Sequence, residues 1–208
     1  MNIFGRFFNS KKLKSENLTD TALYISNHGY NCQDWNPAQV ISLYDYALKY
    51  PEKNVFTINL NIHNVTLKID NVRGLVAFAG DFSTHSKENE FAFWEEIIPF
   101  FDWLFINYGF KFGFIDKEGD TSAKLFQFIE RLEIENLFYT NYFSKEWLHK
   151  HGEDYFLKAP GQTVVLEDGS IRYYPKKSIR KTEKEEALAL KHYFNNVKIF
   201  NAKKSDDW

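Results

Sequence analysis

The sequence predicts an α+β fold, a mainly antiparallel sheet with helices packed on one face, built as a single domain over residues 1–208. Three observations predict it. Apolar residues alternate on even positions from Phe56 to Ile62 and then on odd positions from Val65 to Ile69, the parity switch expected where a tight turn joins two antiparallel strands. Glu167-Asp168-Gly169-Ser170 separates two further β-rich runs, Thr163–Leu166 and Ile171–Tyr174, and Asp-Gly supplies the positive backbone angles of a hairpin. Between these two strand-rich regions, Trp94, Ile97, Ile98, Phe101, Phe105 and Tyr108 recur at helical spacing.

Taken in chain order, Met1–Leu18 has broken apolar character, with lysines after it rather than before, which is not the order of a secretory signal. It reads as a loosely ordered arm whose Phe4, Phe7 and Phe8 rest on the body, and the compartment expected is the cytoplasm. Asn36-Pro37 is a cap followed by proline at a first helical position, and Val40, Leu43, Tyr44, Ala47 and Leu48 continue that helix to Pro51. The two alternating runs follow, then a third strand from Leu75 to Ala79, which completes a meander. Gly80–Asn89 is polar and predicts a loop. The helix through Trp94 to Tyr108 stops at Gly109, and Pro99 inside it predicts a kink or a division in two.

Phe110–Ile115 reads as a strand, Asp116–Asp120 as a turn, and Leu125, Phe128, Ile129 and Leu132 as a helix. Leu137–Phe143 is one aromatic strand, and Lys145–His151 a short helix closed by Gly152. A two-residue turn at Asp168-Gly169 would set Leu166 opposite Ile171 and Val164 opposite Tyr173. A basic link, Lys176–Lys181, leads to a Thr182/Glu185 capping box and a helix with Ala187, Leu190 and Phe194, before a frayed end at 202–208.

The chain's 208 residues, 44% hydrophobic and 18% aromatic, suffice for a core without staples, and the one cysteine, Cys32, excludes an internal disulfide. A net charge of −2 argues against a general nucleic-acid coat, and no apolar run is long enough to span a bilayer. No cofactor and no metal are expected. Asp116, Glu118 and Asp120 open like a calcium loop, but the positions needing Gly and Glu hold Thr121 and Gln127. His149 and His151, two apart on a helix, point to different sides. Neither a Gly-x-Ser-x-Gly elbow nor a phosphate-binding glycine loop occurs. The remaining enzymatic reading is a small hydrolase using Asp116, Asp120 and His85.

Charge is distributed unevenly. Residues 81–120 hold nine acidic and three basic side chains, a net of −6, which leaves +4 for the rest. Asp81, Glu88, Glu90, Asp116, Glu118 and Asp120 are the candidate partner-binding residues, suited to steering a basic protein surface.

From Phe100 to Pro175 the order is a helix ending at Tyr108-Gly109, an aromatic strand, a helix, and a second aromatic strand. A Gly-closed short helix and a Gly-tipped hairpin follow. With Asn141, Trp147, Gly152 and Gly169 as its markers, this third of the chain resembles the immunity proteins of bacterial polymorphic toxin and type VI secretion systems. It departs from them after the hairpin, at Pro175-Lys176-Lys177. The resemblance implies a non-catalytic protein that binds a cognate toxin domain in the cytoplasm and covers its active cleft. Were the toxin a nuclease, the acidic segment would imitate phosphates. Another cytoplasmic protein-binding module is the alternative, and the oligomeric state stays open.

Overall fold

The computed structural model describes residues 2–9, 15–28, 55–60, 65–70, 74–81, 87–117, 129–175, 184–195 and 197–199. The fold is α+β with mainly antiparallel sheet. The chain divides into two compact units, Met1–Gly109 and Phe110–Trp208.

In the first unit the strands are β1 (Asn2–Phe8), β2 (Val55–Leu60), β3 (Val65–Asp70) and β4 (Leu75–Asp81), and the helices are α1 (Ser15–Asn27) and α2 (Lys87–Tyr108). The strands run β2-β3-β4-β1, all antiparallel. The predicted parity switch is present. Phe56 lies opposite Ile69, Ile58 opposite Leu67 and Leu60 opposite Val65, so both apolar sets share one face. That row continues through Val76 to Phe7. Val65, Leu67, Ile69, Val76 and Phe7 are all fully buried.

The expected N-terminal arm is instead a sheet strand. Seven consecutive residues of β1 pair with β4, from Asn2 opposite Asp81 to Phe8 opposite Leu75. Gly5, the residue that interrupts the apolar run, takes its place in the ladder opposite Phe78. Helix α2 covers the Phe7 face, with Phe101 and Phe105 edge-on to the Phe7 ring at 5.8 and 6.0 Å.

Pro99 neither divides nor ends α2, which runs 22 residues through it. Pro99 is exposed while Ile97, Ile98, Phe100 and Phe101 are buried, so the missing hydrogen bond falls on the wet side of the helix. Gly109 ends the helix with φ +60°, as expected, its N–H donating to the Ile106 carbonyl at 3.0 Å. Asn9, just past β1, donates its Nδ2 to the Tyr108 and Gly109 carbonyls, both at 3.2 Å. The β4 strand takes Gly80 and Asp81 from the expected loop.

In the second unit the strands are β5 (Phe112–Lys117), β6 (Asn136–Leu137), β7 (Thr140–Phe143), β8 (Gln162–Val165), β9 (Ile171–Tyr174) and β10 (Lys198–Ile199). The helices are α3 (Lys145–His151), α4 (Glu153–Leu157) and α5 (Lys184–Tyr193). β5, β7, β9 and β8 pair antiparallel in that order. β10 pairs in parallel with β6, a contact with no periodic signal because each partner is two residues long.

One face of this sheet carries Phe112, Phe114, Asn141, Phe143, Ile171 and Tyr173, by register. All three helices cover it. Trp147 of α3 meets Phe143 edge-on at 5.0 Å, Phe156 of α4 lies 4.7 Å from Phe143, and Phe194 just after α5 lies 5.7 Å from Tyr173. Each such aromatic contributes about 1.5–3 kcal/mol by leaving water.

Two expectations in this unit are corrected. Asp116 and Lys117 belong to β5 rather than to a turn. Leu137–Phe143 is not one strand, because the backbone breaks at Phe138-Tyr139 and separates β6 from β7. The helix expected at 36–51, most of the one through Leu125 and Phe128, the cap at Thr182, the link 176–181 and the tail 202–208 lie outside the described residues.

Candidate functional site

Asn141 explains the break between β6 and β7. Its side chain is fully buried; Oδ1 accepts the Phe138 N–H at 2.9 Å while Nδ2 donates to the Phe138 carbonyl at 2.8 Å and to the Tyr173 carbonyl at 3.4 Å. One amide therefore satisfies both polar groups of a backbone unit that no strand pairs. Its neutral donor–acceptor character is what a dry site can hold without a counter-charge.

The turn is braced from the other side by Asp116, whose Oδ2 accepts the Tyr139 N–H at 3.2 Å. Asp116 is fully buried, so it builds the fold and is not available to a partner surface. This corrects its place among the acidic contact residues. Of the others, Asp81 closes β4, and Glu88 and Glu90 stand in the first turn of α2, which the helix dipole favours for carboxylates. Glu118 and Asp120 lie outside the described residues, as do His85 and Cys32. The acidic residues thus fall into both units, with Asp81 on β4 and Glu88 and Glu90 on α2.

Trp147, Gly152 and Gly169, the other markers of the resemblance, are also structural. Trp147 is 2% exposed and stacks among Phe112, Phe143 and His151. Its indole N–H is buried without a hydrogen-bond partner. Gly152 has φ +87° and joins α3 to α4 in one sharp corner, donating to the Leu148 carbonyl at 2.8 Å. At the hairpin the two-residue turn is replaced by a three-residue loop. Leu166 N–H donates to the Ser170 carbonyl at 2.8 Å and Gly169 N–H to the Leu166 carbonyl at 2.9 Å, with Gly169 at φ +84°. That is a type I turn followed by a glycine bulge. It shifts the register by one: Val165 faces Ile171 and Thr163 faces Tyr173. Asp168 Oδ1 stabilises the loop by accepting from Ser170 N at 2.9 Å, a short-range bond that a reading of strand alternation passes over.

His149 and His151 diverge as expected: His149 Nδ1 meets the Lys145 carbonyl at 3.3 Å, and His151 Nε2 donates to the Leu132 carbonyl at 2.7 Å. Lys150 reaches the neighbouring Arg131 carbonyl, so α3 holds a segment in which Leu132 sits at φ +52°. Beside it, Phe112, Ile129, Glu133, Ile134, Phe143 and Trp147 line a shallow recess of about 250 Å³, open mouth included. No group of three metal-ligating side chains occurs among the described residues.

The surface feature that sequence reasoning missed lies on the α1–α2 pair of the first unit. Asn17, Thr21 and Ile25 are buried; Asn17 Nδ2 donates to the Asn107 carbonyl at 2.8 Å, and Thr21 Oγ1 lies 2.6 Å from the Tyr108 hydroxyl. Burial raises the Tyr108 pKa, and the Thr21 hydrogen bond offsets only part of that. The next helical turn carries Tyr24 outward, stacked on His28 at 3.9 Å and on Trp103 at 4.4 Å. His28 is exposed, Tyr24 and Trp103 are half-buried, and Leu23 beside them is 48% exposed. A Tyr–Trp–His stack with an apolar neighbour is the composition of a protein-contact hot spot. The signal available was Ser15 before an amphipathic run, obscured by weak amphipathicity.

No helix among the described residues is long and apolar enough to cross a membrane. No protein-family model matches the sequence, and no curated protein does. Among solved structures the chain is similar to a T6SS protein of Pseudomonas aeruginosa, with a TM-score of 0.49 and 10% identity, over 95% of this chain and 72% of that one.

Proposed function

We propose that this chain is an immunity protein: it binds a cognate secreted toxin in the cytoplasm and neutralises it by covering the toxin's working cleft, catalysing nothing itself. The observation that supports this reading is the role of the four residues that carry the resemblance. Asn141, Trp147, Gly152 and Gly169 set the β6–β7 break, the α3 anchor, the α3–α4 corner and the hairpin tip. They form a scaffold and leave the outer surfaces free to be fitted to one partner.

Two surfaces supply the contacts in this proposal. The Tyr24–His28–Trp103 stack offers the aromatic anchor that a standard interface of about 1,600 Å² needs for nanomolar binding. Asp81, Glu88 and Glu90 supply the negative field that speeds encounter with a basic cleft.

The test is co-expression with the C-terminal domain of any large secreted protein whose gene adjoins this one, scored by survival and by a purified complex. Survival lost on Trp103→Ala, with the complex lost in parallel, is the expected result. Full protection by a chain that forms no complex would overturn occlusion. Glu88→Lys with Glu90→Lys should lower the association rate about tenfold at low salt and much less at high salt.

A further inference from the structure

We propose that β8 is a self-association edge, through which two copies of this chain pair antiparallel, β8 against β8, across a two-fold axis. β8 is the last strand of its sheet, with β9 on one side only. The bonded pair Leu166–Ser170 fixes the alternation of the hairpin: Val164 and Gln162 turn their backbone groups to β9, and Val165 and Thr163 turn theirs outward. No described residue answers those outward groups from another element.

Edge strands are commonly protected by a lysine, a proline or a bulge, and from Gly161 to Leu166 this one has none of them. Its charge suits a second copy in particular. In an antiparallel pairing centred on Val164 the run Gln162–Leu166 meets the same run of the other copy in reverse order, and because Gly161–Leu166 carries no charge no like charges are set opposite one another. The exposed apolar residues also match. Val165 is 59% exposed at one end of β8 and Leu157 is 53% exposed at the other, where Thr163 Oγ1 donates to the adjoining Phe156 carbonyl at 2.8 Å. With Thr163 bonded to Val165 of the second copy, each Leu157 comes beside the other copy's Val165, and the two Val164 residues meet on the axis. A four-residue edge buries less than the roughly 1,200 Å² of a stable complex, so the dimer is weak and reversible, dissociating at about 10–1,000 µM.

Analytical ultracentrifugation of the full chain across that range tests it. The wild-type protein is expected to dimerise, and Val165→Lys and Leu157→Glu each to raise the dissociation constant at least tenfold with unchanged circular dichroism. Leu157→Glu lies on α4, outside the hairpin, so it serves where Val165→Lys perturbs folding. In a Cys32→Ser background, Val164→Cys should crosslink across the axis on mild oxidation, and Val165→Cys should not. A wild-type chain that stays monomeric at about 1 mM overturns the proposal. So do variants that leave the constant unchanged, or an edge needed for binding a toxin in a chain that never dimerises. Toxin protection by Val165→Lys reports on the proposed function separately.

Discussion

Asn141→Ala should remove both partners of the buried Phe138 peptide groups at once. The Phe138 N–H loses an acceptor at 2.9 Å and its carbonyl loses a donor at 2.8 Å, in a site without solvent access. Each of these two lost hydrogen bonds costs about 1–3 kcal/mol, so the substitution should cost about 2–6 kcal/mol, out of the roughly 5–15 kcal/mol that holds a typical domain. Asn141→Asp separates hydrogen bonding from shape. It keeps the acceptor for Phe138 N–H but sets a second oxygen against the Phe138 carbonyl, and burial raises the pKa of the new carboxyl. A carboxyl whose folded pKa is raised is favoured protonated in the folded state, so stability falls as pH rises through that pKa. Asn141→Asp should therefore be weaker than Asn141→Ala at pH 7 and recover relative to wild type toward pH 5. Urea denaturation of the three proteins at both pH values measures this. If Asn141→Ala lies within about 0.5 kcal/mol of wild type, or if Asn141→Asp loses stability on acidification relative to it, the clamp is not what holds the β6–β7 break.

Further outcomes follow from the packing. Gly161→Ala should cost more than about 2 kcal/mol by thermal denaturation, because its Cβ would lie 2.3 Å from the Tyr174 carbonyl oxygen at φ +116°. Trp147→Phe should cost far less than the roughly 3–5 kcal/mol of Trp147→Ala, since the indole N–H makes no bond and only its volume matters. Burial raises the pKa of Tyr108 and of Tyr173, the latter further through Tyr193 and Tyr155. A raised folded pKa stabilises fully below the unfolded value of about 10; above it stability should fall by up to about 1.4 kcal/mol per pH unit for each tyrosine. Tyrosinate absorbance should show two phenols ionising only as the chain unfolds, and two that titrate freely in the folded protein would contradict the burial.

What was legible in the sequence was what repeats. The parity switch at 60–65 gave the β2–β3 register, and helical spacing through Phe101 and Phe105 gave the buried face of α2. Single local choices hid the rest. Gly5 and Arg6 made β1 look like an arm, although its pairing depends on β4, some seventy residues away. Asp-Gly signals a hairpin without separating a two-residue turn from a three-residue loop, and that one residue decided which side chains face each other. For the candidate site, composition marked the acidic segment, but only burial removed Asp116 from it. The Tyr24–Trp103 stack joins residues 79 apart and had no local trace.

The pairing of β1 with β4 has a consequence for synthesis. Strand β1 is synthesised well before its partner and finds its ladder only when residues 75–81 have followed it out of the ribosome, as the meander closes. Until then Phe7 and Phe8 travel uncovered, a nascent segment suited to chaperone capture. Substitutions that slow the β3–β4 turn should lower the yield of soluble chain more than they lower the stability of the finished protein.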